Sequence, residues 1–141
     1  MIIQESITIK TNIDKVWKIF TDLACWGDWN SVIKNVRSKD GILADGRSLK
    51  CTFRPFLFPI QVQIEIEKIV PHEHIVWVAR KKGLLARHEF IFENNGKGIQ
   101  VISREVFSGI LVSGKGLLLP VRRMRHLTRI FLQDLKRAAE T

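Results

Sequence analysis

The chain has no tyrosine at all. No phenol can therefore donate a proton or orient a carbonyl, which removes one frequent participant from any acid–base chemistry. Cysteine is nearly as scarce: only Cys25 and Cys51 occur, without metal-ligand spacing. Two lone thiols in a domain of this size read as buried small hydrophobes, with a disulfide between them left open. Long hydrophobic runs are also missing. The longest near-apolar stretch, Gly109 to Val121, is interrupted by Lys115 and is too short to span a bilayer. Glu5 and Lys10 interrupt the N-terminal segment, so it does not read as a secretory signal. These absences predict a soluble, cytoplasmic protein. There is no internal repeat, linker or low-complexity tract, and no nucleophile elbow or dinucleotide fingerprint. The four histidines, His72, His74, His88 and His126, form no helical metal pair. His72 and His74 flank Glu73 beside Pro71 and read as a turn, at most a weak surface metal site, so no metal and no cofactor is expected.

Acidic residues are outnumbered, 14 against 23 basic ones, for a formal charge of +9. Arg80, Lys81, Lys82 and Arg87 gather around one hairpin. Lys115, Arg122, Arg123, Arg125, Arg129, Lys136 and Arg137 line the C-terminal segment. Such a field is either a solvated face or an attraction toward anionic lipid, acidic ligands or nucleic acid. No nucleic-acid reading motif accompanies the charge, so nucleic acid is the weakest of these partners.

What is present points to one domain over residues 1–141, long enough to bury a core. Thr11 to Asn30, TNIDKVWKIFTDLACWGDWN, opens with a helix start. Thr11 with Asp14 spells a capping box, and Asn12 is the alternative cap. Ile13, Val16, Trp17 and Phe20 share a helical face, and the helix stops near Thr21-Asp22 before a turn carrying Trp26 and Trp29. Strand-like sequence flanks this insert, so its aromatics must cover the mouth or edge of a sheet. Alternating segments follow at Arg47 to Arg54, from Ile60 to Ile66, at Ile75 to Arg80, at Arg87 to Glu93 and at Ile99 to Ser108. Gly and Pro punctuate them, with Asn94-Asn95-Gly96 closing a hairpin. About seven strands joined by short turns favour an antiparallel meander. From roughly Lys115 to Ala139 the chain reads as a helix, with Leu117, Val121, Met124, Leu127 or Thr128, Phe131, Leu135 and Ala138 at three- and four-residue steps.

The N-terminal strand, the TNIDKVW helix start and the DLACWGDWN turn resemble the START-like superfamily of helix-grip domains. The resemblance continues through Ile69 to Trp77, His88 to Phe92, Arg104 to Gly109 and the C-terminal helix. That superfamily includes birch-pollen-allergen-like proteins, lipid-transfer domains and polyketide cyclase/dehydrase-type proteins. The resemblance implies an α+β helix-grip fold: a roughly seven-stranded curved antiparallel sheet with two short N-terminal helices wrapped around a long C-terminal helix. It also implies a ligand cavity between sheet and helix.

Strand phase nominates the polar groups that would face such a cavity. Ile99, Val101, Ser103, Glu105 and Phe107 share one face of their strand, and His88, Phe90 and Phe92 share one face of theirs. His88 and Glu105 then project into the same space, as a candidate acid–base pair or as a mutually satisfied buried pair. Glu5, in phase with Ile3, Ile7 and Ile9, is a third inward carboxylate, and Arg104 a further candidate. Trp29, Phe53, Trp77, Phe90, Phe107, Met124 and Phe131 are candidate walls. The GILVSGKG stretch from Gly109 nearly matches a phosphate-binding loop. Gly116 stands where the magnesium-ligating hydroxyl belongs, and too little chain follows for the required parallel sheet.

The leading expectation is a module enclosing a small hydrophobic or amphipathic molecule, lipid-, sterol- or polyketide-like, with His88 and Glu105 fixing its polar end. The alternatives are a cyclase- or dehydratase-like enzyme using Glu105 and His88, which the missing tyrosine disfavours, and a basic module binding anionic membrane surfaces. In that last reading the Phe56-Leu57-Phe58 tip, held between Pro55 and Pro59, inserts into the interface or caps the cavity.

Overall fold

A computed structural model describes residues 1–55, 59–109 and 120–141. The Phe56-Leu57-Phe58 tip, the glycine-rich stretch beyond Gly109, Lys115 and Leu117 all lie outside the described residues. The elements run in the order β1 (Ile2–Ile9), α1 (Ile13–Thr21), a single 3-10 turn (Leu23–Cys25), α2 (Trp26–Trp29), β2 (Lys34–Ser38), β3 (Ser48–Phe53), β4 (Ile60–Val70), β5 (His74–Lys81), β6 (Leu84–Asn94), β7 (Ile99–Ser108) and α3 (Val121–Ala139).

The seven strands make one antiparallel sheet in the order β1-β7-β6-β5-β4-β3-β2. From β2 onward it is a meander, as the short turns predict, and β1 closes it by pairing along β7. Two turns depend on glycine. Gly98 (φ +154°) would place a Cβ 2.3 Å from the Ile9 carbonyl oxygen, and Gly109 (φ +111°) would place one 2.6 Å from that of Gly83. Only a residue without a side chain allows these backbones to approach so closely.

At the start of α1 it is Asn12, not Thr11, that caps: its Oδ1 accepts from Lys15 N at 2.9 Å. Val16 and Phe20 are buried beneath the helix, with Trp17 half-buried against Phe92. The following turn is knit by Asn30. Its Oδ1 accepts from Val32 N and Ile33 N, while its Nδ2 donates to the carbonyls of Trp26 and Ile33. The Trp26 indole donates to the Phe20 carbonyl at 2.8 Å, which lets a large polar-edged ring be fully buried.

The expected lead-in from Lys115 lies outside the described residues, and the C-terminal helix α3 has Pro120 at its N-cap. Its buried residues are Met124, Phe131, Leu132, Asp134, Leu135 and Ala139. Leu132 and Ala139 extend the expected stripe because α3 packs on α1, α2 and β1 as well as over the sheet. Asp134 is buried because it serves as an acceptor: Ser31 N and Ser31 Oγ both donate to its Oδ2 at 2.8 Å. This ties the helix to the turn after α2. Both cysteines are free; Cys51 is buried as expected, but Cys25 is exposed. No helix among the described residues is long and apolar enough to cross a membrane.

Candidate functional site

Antiparallel register sets the site. Ile66, Trp77, His88, Glu105 and Ile3 are successive partners across β4, β5, β6, β7 and β1, so one inward row crosses the sheet. One step along, Ile75, Phe90, Ser103 and Glu5 form the neighbouring row, and on the other side lie Ala79, Ala86 and Phe107. α1 and α2 fill the space over the Phe90–Phe92 end. Phe20 reaches Trp26, Trp77, Phe90, Phe92 and Phe131 with ring centroids 4.8 to 6.1 Å apart. Over the Ala79–Ala86 end neither α1 nor α2 supplies such a plug among the described residues, and a cavity of about 420 Å³ remains between sheet and α3.

The cavity is walled by Phe53, Trp77, Phe90, Phe107, Met124 and Phe131, together with Cys51 of β3 and the aliphatic side chains of β4. Of the expected wall residues Trp29 is the exception. It does not line the cavity but packs behind it, 5.3 Å from Phe131 and 5.8 Å from Trp26 between ring centroids. A tryptophan in a turn carries no strand phase, so sequence alone could not distinguish lining the space from buttressing its wall.

His88 and Glu105 both line the cavity and stand together. His88 Nδ1 is 3.6 Å from Glu105 Oε2, and Nε2 is 2.6 Å from Ser103 Oγ. The imidazole is stacked on Phe90 at 4.2 Å and meets the Trp77 ring edge-on at 5.5 Å. Only 13% of the His88 side chain and 20% of the Glu105 side chain are exposed. Burial pushes the His88 imidazole down to about 3 and the Glu105 carboxyl up to about 7. In both cases the low-polarity surroundings disfavour the charged form. Below neutrality the pair is therefore an uncharged imidazole beside an uncharged acid. Both can exchange hydrogen bonds with a guest, and the acid titrates near pH 7. Ser103, fully buried, is the polar residue that phase placed on this face without marking it out. A serine among apolar residues carries little signal until its partner is known.

The other candidates do different work. Glu5 faces α3 but lies outside the cavity lining, where Arg129 and Arg125 of α3 pair with it at 3.0 and 3.2 Å. Burial would raise its carboxyl, but these two guanidinium groups hold it below the usual range. Arg104 points to the outer face and pairs with Glu89 at 3.5 Å, alongside His74. It has no place in the cavity chemistry. His72 sits in the turn before β5 and pairs with Asp14 at 3.1 Å. Among the described residues no cluster of His, Cys, Asp and Glu could hold a metal ion.

A long helix over a curved antiparallel sheet is the architecture the sequence resemblance implies, and the chain matches a family whose description is polyketide cyclase / dehydrase and lipid transport. Its model matches residues 1–140. The chain belongs to that family. Solved structures agree on the fold. The hypothetical protein jhp0584 from Helicobacter pylori superposes with a TM-score of 0.80 at 16% identity, covering 99% of this chain and 88% of that one. TTHA0849 from Thermus thermophilus gives 0.80 at 12% identity, covering 99% and 97%. BexL, a di-domain ARO/CYC protein of the BE-7585A biosynthetic pathway, gives 0.74 at 15% identity; all of this chain covers 50% of it. At these identities the likeness is one of fold. No curated protein matches the chain. The family match supports a ligand-binding or polyketide cyclase-like role.

Proposed function

We propose that the protein binds a small, largely apolar molecule beneath α3, with a neutral polar group of that molecule held at His88, Ser103 and Glu105. The observation that carries this reading is the cavity itself. Its volume lies in the range of small-molecule sites, and its walls are mostly apolar, with one cluster of polar side chains at His88, Ser103 and Glu105 and a lysine, Lys81, apart from it. Affinity comes from burial of the apolar body, at roughly 25 cal/mol per Å² removed from water. The polar cluster sets orientation. An uncharged imidazole, hydroxyl and acid offer donors and acceptors without net charge, so a carbonyl, hydroxyl or phenol suits them better than a buried anion.

Native mass spectrometry of the gently purified protein, with extraction of anything bound, is the direct test. One apolar adduct per chain is expected, and its addition should perturb the fluorescence of Trp77, which lines the space. A protein with the cavity plugged by Ala86→Trp should carry none. Equal loading of the plugged and unplugged proteins would place the ligand elsewhere and overturn the reading.

A second reading, turnover of a polyketide-like substrate, is favoured by one observation: an acid titrating near pH 7 stands beside a ring nitrogen inside the cavity. If it holds, Glu105→Gln abolishes turnover while ligand still binds; unchanged turnover removes Glu105 from the mechanism. The basic helix supports membrane docking less well. Arg125 and Arg129 are paired with Glu5, Lys136 with Glu140 and Arg137 with Asp134, so much of that charge is already matched.

A further inference from the structure

One charged side chain in the cavity wall is not accounted for by the polar cluster. On β5 the inward set Trp77, Ala79 and Lys81 lines the cavity, while Arg80, between them, points outward and pairs with Glu65 at 3.2 Å. Lys81 has no carboxylate within ion-pair distance among the described residues. Glu105 is the one carboxyl in the described lining, and it belongs to the Trp77–His88 row. Lys81 pairs with Leu84, four residues farther along the strands, or about 13 Å at the usual rise per residue. Between the two rows, β5 and β6 carry only alanines, Ala79 opposite Ala86, flanked by the apolar Ile64 and Phe107. The cavity thus has an uncharged hydrogen-bonding group at one level, a clear apolar passage, and an unmatched positive charge at its exposed end.

Deepening the reading above, and resting on it, we propose that the bound molecule has two polar ends: a neutral hydroxyl or carbonyl at the His88–Ser103–Glu105 wall, and an anionic group at Lys81. The substrate class is then an elongated amphipathic anion with a second, uncharged polar group near its far end. A sterol-like or purely hydrocarbon guest leaves Lys81 unused. An anion placed head-first into the cavity meets no positive charge at the inner wall, so the charge also fixes the direction of entry.

Three probes with twelve-carbon chains, which extend over roughly that separation, separate the possibilities in calorimetric titrations of the intact protein. They are the terminal hydroxy acid, the matching diol and the unsubstituted fatty acid. The hydroxy acid should bind about three- to fivefold tighter than the diol, the worth of an ion pair at an exposed rim. That preference should shrink in high salt. It should exceed the fatty acid by about two- to tenfold, the worth of one hydrogen bond at the inner wall. Lys81→Met should bring the hydroxy acid and diol affinities together, whereas Arg80→Met, on the outer face, should keep the wild-type ratio. Equal affinities in the wild type, or a ratio that survives Lys81→Met, would mean a lysine solvated at the rim and would overturn the inference while leaving the cavity reading intact. Failure of all three probes to bind would overturn both.

Discussion

The inward face of the sheet is built from the same strands along its whole length, yet its two ends differ sharply. Around Ile75, Phe90, Phe92 and Val101 every position is filled, and Phe20 and Trp26 arrive from α1 and α2 to complete a fully buried aromatic cluster. A few residues farther along, β5 and β6 carry Ala79 and Ala86, neither α1 nor α2 reaches over them, and among the described residues the space stays open. Stability is concentrated at the first end, and the second is where the proposed guest would sit. A single alanine in a strand signals nothing by itself. Two facing alanines beneath a helix held off by Phe107 and Met124 leave room for a guest.

The strongest way to break this contrast is Phe20→Ala. Removing the ring that touches five aromatic neighbours should cost about 3 to 5 kcal/mol, read from urea unfolding. A loss under about 1 kcal/mol would mean that the aromatic end is not the stabilising one. Enlarging a side chain at each end sharpens the comparison. Val16→Phe at the filled end should cost about 1 to 3 kcal/mol. Ala86→Leu at the open end should change stability by less than about 1 kcal/mol but abolish ligand uptake. Similar penalties at both sites would show that the open end has no room.

The polar cluster makes a prediction about pH. Glu105 is raised from 4.5 to about 7, so its contribution to stability is complete below pH 4.5 and is lost as pH rises toward 7. His88 is lowered from 6.5 to about 3, so its contribution is complete above pH 6.5 and is lost as pH falls toward 3. Between pH 4.5 and 6.5 the two slopes oppose each other, and the wild type should change little there. Glu105→Gln should unmask the histidine and make the protein more stable at pH 8 than at pH 5, by about 2 kcal/mol. His88→Gln should reverse the sign, with less stability at pH 8 than at pH 5. Denaturant midpoints of the two variants following the same direction would contradict burial as the cause. The smallest effect belongs to Arg129→Gln, which removes one of two partners of Glu5. It should cost less than about 1 kcal/mol and leave ligand affinity as it was.

Much of this was legible in the residues. Alternation located six of the strands to within a few positions, and phase alone put His88 and Glu105 on the same side. It could not show that one end of the face is filled and the other hollow. That depends on how far α1 and α2 reach over the sheet, a distance no periodicity encodes. Asp134 looked like an ordinary polar position of an amphipathic helix, because its partner Ser31 lies 103 residues away in sequence. Lys81 was hidden by its neighbours. In a run of Arg, Lys and Lys the charge reads as one patch, whereas the pleat sends Arg80 outward and Lys81 toward the cavity.

The pairing of β1 with β7 also governs how the protein comes into being. The Ile2-to-Val106 register and the Phe107 N–H to Met1 carbonyl bond join segments about a hundred residues apart. During synthesis the first strand therefore has no edge to join until the last strand has left the ribosome, and the helix that covers both follows later still. Until then Ile3, Ile9, Val16 and Phe20, all fully buried in the finished protein, have no permanent cover. So large a separation between partners places the closing step among the slower, late events of folding. It makes the nascent N-terminal segment, rather than the finished surface, the part of this molecule most exposed to aggregation.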